Sequence, residues 1–169
     1  MPVMSDVLLT TLLLGLVTLG SWRVARLYLR FRGTRIVGCP GTGQAAAVKL
    51  AAWRIAVTPG FSEPKLRLVA CSRWRERGRC DRACLKDIEA APEECLVVTI
   101  LSNWYEAKAC TCCGRPLTRI APWRHKPCVM SPDLRLVEWR NVRAEDIPQV
   151  LATHSPVCRK CLVAETHTL

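Results

Sequence analysis

The sequence predicts an α+β fold: one long N-terminal helix able to cross a membrane, then a small domain of short strands and helices. Three observations predict it. Val7–Trp22, VLLTTLLLGLVTLGSW, is an apolar run without a charge. After it, apolar alternation and helical periodicity come only in short stretches separated by Gly- and Pro-containing turns. Eleven cysteines stand in a chain of 169 residues, well above ordinary usage. A thin core of this size needs staples, either disulfides or metal ions.

The apolar run falls a little short of the about 20 residues that a bilayer span usually takes. The span becomes adequate when Arg23 and Arg26 snorkel and Trp22 and Tyr28 sit at the interface. A cleaved signal peptide would need a positive segment before the run and a small-x-small cleavage site after it. Only Asp6 is charged there, and SWRVARLYLR offers no such site. A buried core helix is disfavoured because the run is apolar on every face. Arg23, Arg26, Arg30, Arg32 and Arg35 all flank the C-terminal end. The positive-inside rule therefore puts the rest of the chain in the cytoplasm. Two lipid contacts are expected, the bilayer through residues 7–22 and anionic headgroups near Arg23–Arg35. The reducing cytosol argues against structural disulfides and leaves metal ligation as the leading use of the cysteines.

Three parts are expected: 1–38, an anchor and basic juxtamembrane helix; 39–108, a cysteine-containing α+β part; and 109–169, a knuckle-containing part. Residues 23–37 continue the helix until Gly33 breaks it, and GCPGTG (38–43) is a turn. AVKLAAWRIAV (47–57) combines helix-favouring Ala and Leu with a loose alternation, and reads as strand. A loop follows at 58–64, a strand at 66–71 and a basic loop at 72–79. CDRACLKDIEAAP (80–92) reads as a helix ended by Pro92. Residues 93–108 form a second helix, with Leu96, Ile100 and Trp104 as its buried stripe. Segments 116–121 and 134–140 are strands joined by a loop holding Pro122, Pro127 and Pro132. Residues 144–152 form a short helix.

The strongest chemical signal is a pair of CxxC motifs, Cys110–Cys113 followed by Gly114, and Cys158–Cys161. Two intervening residues let the chain turn back so that both sulfurs meet one ion, and a glycine after the second cysteine can complete the turn with φ > 0. Four thiolates suit a tetrahedral Zn²⁺. A CxxCG knuckle, a hairpin and a second CxxC entering a helix resemble treble-clef and zinc-ribbon domains over the last third of the chain. The resemblance implies that Cys110, Cys113, Cys158 and Cys161 are the ligands, with Cys112 pointing away. It does not specify function, since the class spans nucleic-acid binders, interaction modules and enzymes. Zinc is preferred to an iron–sulfur cluster because no iron–sulfur spacing occurs.

Cys39, Cys71, Cys80 and Cys84 form a looser set and a candidate second metal site. Cys80 and Cys84 would share a helical face at i, i+4. Cys39 begins a knuckle-like CPGTG turn without a second cysteine, and Cys71 ends a strand. The other readings of the set are scattered buried thiols, a redox centre or an iron–sulfur centre. Cys95 can stand in for Cys39 or Cys71, and Cys128 reads as a lone thiol. The phrases CPGTGQ, CSRWRERGRC, EAAPEECLV and RPLTRI also resemble those of uncharacterised bacterial proteins with a short membrane anchor and a cysteine-rich body, a resemblance that implies no activity.

No GxSxG, HExxH, Walker A or GxGxxG motif occurs, and none of the three histidines (His125, His154 and His167) stands at ligand spacing to another. His154, four residues before Cys158, reads as a surface or capping residue. His125 near Cys112 or Cys128 is too thin a basis for a nucleophile and base. The chain carries a net charge of +11, and residues 39–169 alone hold 20 basic and 13 acidic side chains. Arg73, Arg75, Arg77, Arg79 and Arg82 surround Trp74, a pattern that fits an anionic membrane surface, a protein partner or a nucleic acid. The reading that follows is a membrane-anchored, cytoplasmic zinc-binding interaction or assembly module without catalysis. Its alternatives are a redox or iron–sulfur electron-transfer subunit at the membrane and a membrane-tethered nucleic-acid binder.

Overall fold

The computed structural model describes residues 2–58, 66–74, 80–117 and 128–166. Helix α1 spans Pro2–Phe31. Its stretch Asp6–Phe31 is 26 residues long and apolar enough to cross a membrane, and none of its most apolar window is buried within the protein. Toward the end of α1, Leu27 and Phe31 turn into a core formed with the following segments. Gly33, at φ +100°, stops the helix and redirects the chain, as its sequence position predicts.

Strands β1 (Thr34–Gly38), β2 (Ala45–Leu50) and β3 (Leu68–Cys71) form an antiparallel meander in that order. Arg35 lies opposite Val48, Val37 opposite Ala46, and Val48 opposite Cys71. Directly opposed residues share a face, so Arg35, Val37, Ala46, Val48 and Cys71 line one side of the sheet. That side is the core, where Val37, Ala46 and Val48 are buried together with Leu50, Ile55, Leu68 and Ile88.

The segment expected as one strand over 47–57 divides in two. Lys49 and Leu50 end β2 at a register irregularity, and α2 follows at Ala52–Val57, buried through Ala52, Ile55 and Ala56 and packed along α1. Helix α3 covers only Leu85–Ala90. Cys80 and Cys84 precede it, and Arg82 between them takes φ +59°, so the two cysteines do not share a helical face. Helix α4 spans Val97–Tyr105. Leu96, Ile100 and Trp104 are only half-buried, and Tyr105 is the residue that α4 buries fully.

The second sheet also departs from expectation. Its central strand is β4 (Cys128–Met130), which pairs antiparallel with β5 (Leu136–Glu138) and with β6 (Ser155–Val157). The predicted loop over 122–132 thus contains the central strand, and the hairpin partner of β5 is β4. Residues 118–121 of the expected first strand lie outside the described residues, while Pro116 makes an antiparallel bridge to Ala109. Two 3₁₀ turns, Trp139–Asn141 and Ala144–Asp146, lead into α5 (Ile147–Thr153), and α6 (Arg159–Thr166) follows β6.

The two sheets are tied together by specific contacts. The turn Ala144–Asp146 packs against β1 and β2. Trp104 of α4 donates its indole N–H to the Leu151 carbonyl in α5 at 3.0 Å. The Tyr105 hydroxyl donates to the Cys128 carbonyl at 2.7 Å and accepts from the Trp139 indole at 2.9 Å.

Candidate metal centre

The knuckle at Cys110 is a closed turn. Ala109 bridges to Pro116, the Cys110 N–H donates to the Arg115 carbonyl at 2.8 Å, and the Gly114 N–H donates to the Cys110 carbonyl at 2.8 Å. Gly114 sits at φ +68°, the conformation for which a glycine is suited. Thr111 fastens the turn to β6, its backbone N–H and its hydroxyl both donating to the Pro156 carbonyl, at 2.9 and 3.0 Å. Strand β6 therefore ends beside the knuckle, and the chain runs from it into Cys158 and α6. The Cys161 N–H donates to the Cys158 carbonyl at 3.2 Å, folding the second pair back on itself.

As a result, all four sulfurs of Cys110, Cys113, Cys158 and Cys161 lie within 4.8 Å of one another. The Cys110–Cys161 separation is 3.9 Å, Cys113–Cys158 is 3.7 Å and Cys158–Cys161 is 3.5 Å. A tetrahedron with Zn–S bonds of about 2.3 Å has edges of about 3.8 Å. The donor set therefore fits one tetrahedral thiophilic ion. None of the cysteines forms a disulfide.

The site also favours thiolate. Burial works against charge on Cys110, but N–H groups of Cys158, Cys113 and Cys112 point at its sulfur and outweigh it, bringing its pKa down to about 6. The Cys158 N–H lies 3.2 Å from that sulfur. Cys161 moves the other way, raised by its contact with Cys158 and then by burial. Cys112 is exposed and outside the cluster. Cys128 is buried directly beneath it, in the same small core as Cys110 and Val157, and burial pushes its pKa up to about 12. It behaves as a compact apolar side chain.

The looser set is gathered but not closed. Cys39 and Cys84 are buried in the core of the first sheet, with Cys71 packed against it. Burial, then the charges of Cys80, Cys71 and Cys39, raise the Cys84 pKa. Among the described residues, Cys110, Cys113, Cys158 and Cys161 are the one group of three or more ligand side chains drawn within 4.8 Å. Cys95 packs against the same core as Cys71 but has different charged groups around it. After burial, its charge neighbours are Arg35, Asp87 and Glu94, not the other cysteines. His154 caps the end of α5, with its Nδ1 2.8 Å from the Thr153 hydroxyl, and takes no part in the cluster. His125 and His167 lie outside the described residues, as do Arg75, Arg77 and Arg79.

Sequence reasoning missed the parts that position the four cysteines: Thr111, the Pro156 carbonyl, and β4 with Tyr105 behind it. Each acts across more than 20 residues of chain, and no local spacing announces it. No protein-family model, curated protein or solved structure matches the chain.

Proposed function

We propose that this chain is a single-pass membrane protein whose cytoplasmic domain is a zinc-stabilised interaction or assembly module rather than a catalyst. The observation that carries the reading is the convergence of four thiols from two distant CxxC pairs. Four thiolates complete a tetrahedral shell and leave no position for water or substrate, the arrangement of structural zinc. The zinc–tetrathiolate unit has a net charge of −2, and Arg115, Arg159 and Lys160 stand within two residues of its ligands in sequence to offset it. Zinc here would fasten the knuckle to α6, two pieces of chain with little core of their own.

Retention of the anchor is supported by its lower end. Leu27 and Phe31 pack into the core of the first sheet, and Arg35 bonds back to the last turn of α1. A chain cut close below the apolar run would expose that core. The apolar upstream part of α1 is left unburied among the described residues, as suits a lipid-facing helix. Arginines on its C-terminal side favour a cytoplasmic body, where eleven thiols persist and remain available to metal.

The test is elemental analysis and visible absorption of full-length protein purified in mild detergent. Zinc should be present, and Cys161→Ser should lower it by about one equivalent, because binding and folding of the site are coupled. Unchanged zinc in this variant would overturn the assignment of the site. Brown absorbance with stoichiometric iron and sulfide would replace the zinc module by an electron-transfer subunit.

A further inference from the structure

Cys39 heads a turn with the same hydrogen bonds as the knuckle at Cys110. The Cys39 N–H donates to the Gln44 carbonyl at 2.8 Å, and the Gly43 N–H donates to the Cys39 carbonyl at 2.8 Å. Both distances equal those from Cys110 to Arg115 and from Gly114 to Cys110. The glycines agree as well, at φ +66° for Gly43 and +68° for Gly114. Cys39–Gln44 therefore has the same backbone turn as the Cys110 knuckle, with Thr42 in the place of the second cysteine. A knuckle with one thiol needs the other ligands from elsewhere.

The fold brings three more thiols to the same core. Strand alternation continues the buried face of β1 from Val37 to Cys39, and the register puts Cys71 on that face, opposite Val48. Helix α3 covers the face, burying Ile88 and Cys84 in one cluster with Cys39, while Cys71 packs against it. Cys80 enters from the turn before α3, where Arg82 at φ +59° reverses the chain. Cys84 thus shares one core with Cys39 and Cys71, and Cys80 stands at the start of the turn that leads into it. Three thiols from three separate segments meet in this core, and a fourth leads into it, at a spacing wider than the 4.8 Å of the C-terminal group.

We propose that Cys39, Cys71, Cys80 and Cys84 are the ligands of a second, structural divalent ion of the zinc class, independent of the C-terminal centre. The ion displaces the thiol protons to solvent and draws the sulfurs from their looser spacing to tetrahedral distance. It locks the start of α3 and the end of β3 onto the β1–β2 turn. This corner lies in the same core that holds the last turn of α1, so the metal couples the juxtamembrane helix to the body. The first centre does the same for the C-terminal part, and each can fill without the other.

Cobalt titration of the metal-stripped full-length protein in detergent tests this without any substitution. Thiolate-to-cobalt absorbance should rise until about two equivalents are bound, with tetrathiolate intensity at both steps. Saturation at one equivalent would overturn the proposal. Variants then separate the two centres. Cys84→Ser and Cys71→Ser should each leave about one equivalent, lost on adding Cys161→Ser. Full cobalt binding by both Cys84→Ser and Cys71→Ser would overturn the second centre whatever Cys161→Ser does. Full binding by Cys161→Ser, with one equivalent lost in Cys84→Ser, would sink the first centre and leave the second standing.

Discussion

Arg35 is the one fully buried charged side chain among the described residues, and among them no carboxylate pairs with it. Its guanidinium donates to backbone carbonyls instead: Nε to Pro92 at 3.1 Å, Nη1 to Phe31 at 2.7 Å and Nη2 to Arg30 at 2.6 Å. The Arg30 and Phe31 carbonyls belong to the last turn of α1, which has no helical partners for them and carries the negative end of the helix dipole. Burial pulls the Arg35 pKa down from its usual range, opposed by the neighbouring Cys95. Arginine stays cationic all the same, because its reference value lies so far above neutral. This residue is a plug, joining the end of the apolar helix to the segment before α4. Arg35→Met should cost about 3 kcal/mol, since it strands three acceptors that were bonded to a charged donor. Arg35→Lys should recover only part of that, because an ammonium cannot reproduce the planar fork. Thermal melts of the metal-loaded protein in detergent, followed by helical ellipticity, will read both. Equal midpoints for the native protein and the Met variant would mean that water satisfies the carbonyls.

Among the elements, the junction between α1 and β1 depends on a single glycine. Gly33 has φ +100°, and a Cβ built there would stand 3.3 Å from Leu96 Cδ2. Gly33→Ala is therefore expected to destabilise the body by about 1–3 kcal/mol through backbone strain, with the tight contact to Leu96 adding to it. The same thermal melt measures it, and a variant as stable as the native protein would show that the junction relaxes freely. This break was legible in the sequence, as were the long helix, β3, the short helix after residue 144 and the convergence of the four C-terminal cysteines. All of those rest on local signals: an uninterrupted apolar run, strand alternation, a turn glycine, a two-residue ligand spacing. The failures are equally physical. β4 holds only three residues between prolines and becomes a strand because it has a neighbour on each side, β5 and β6. The run 47–57 carries both helix and strand character because β2 and α2 are fused with one residue between them. The expected helical pairing of Cys80 with Cys84 failed because the helix starts only at Leu85. Arg35 was legible as a charge flanking the anchor, but not as a buried donor, since its Pro92 partner lies 57 residues away.

Seen whole, the protein is an apolar helix with a body lashed to its lower end. Helix α2 lies along α1, forming a groove lined by Gly20, Ser21, Val24, Ala25, Tyr28 and Trp53. Trp53 is 64% exposed and Val57 47% exposed, beside the outward-facing Arg54. Trp22 and Tyr28 lie on the same stretch of α1 and are exposed too, and Arg26 stacks over the Trp22 ring at 5.2 Å. With α1 in a bilayer, this level falls in the headgroup layer, where aromatic rings with a polar edge are favoured and arginines meet phosphate. The body would then rest on the membrane through α2 rather than hang from a free tether, which fixes the face it offers to a partner. Vesicles containing brominated acyl chains test this, because bromine quenches only tryptophans close to the chains. In reconstituted protein, Trp53→Phe should remove a measurable share of the quenchable emission, as Trp22→Phe does. Trp104→Phe should not, since that ring is half-buried against Tyr105 and Trp139 and bonded to the Leu151 carbonyl of α5. Adding anionic lipid should deepen the quenching of Trp53 by drawing Arg54 and the α1 arginines toward the surface, and high salt should reverse that gain. If Trp53→Phe leaves the quenched fraction unchanged in both lipid mixtures, α2 stands clear of the bilayer and the body is oriented by α1 alone.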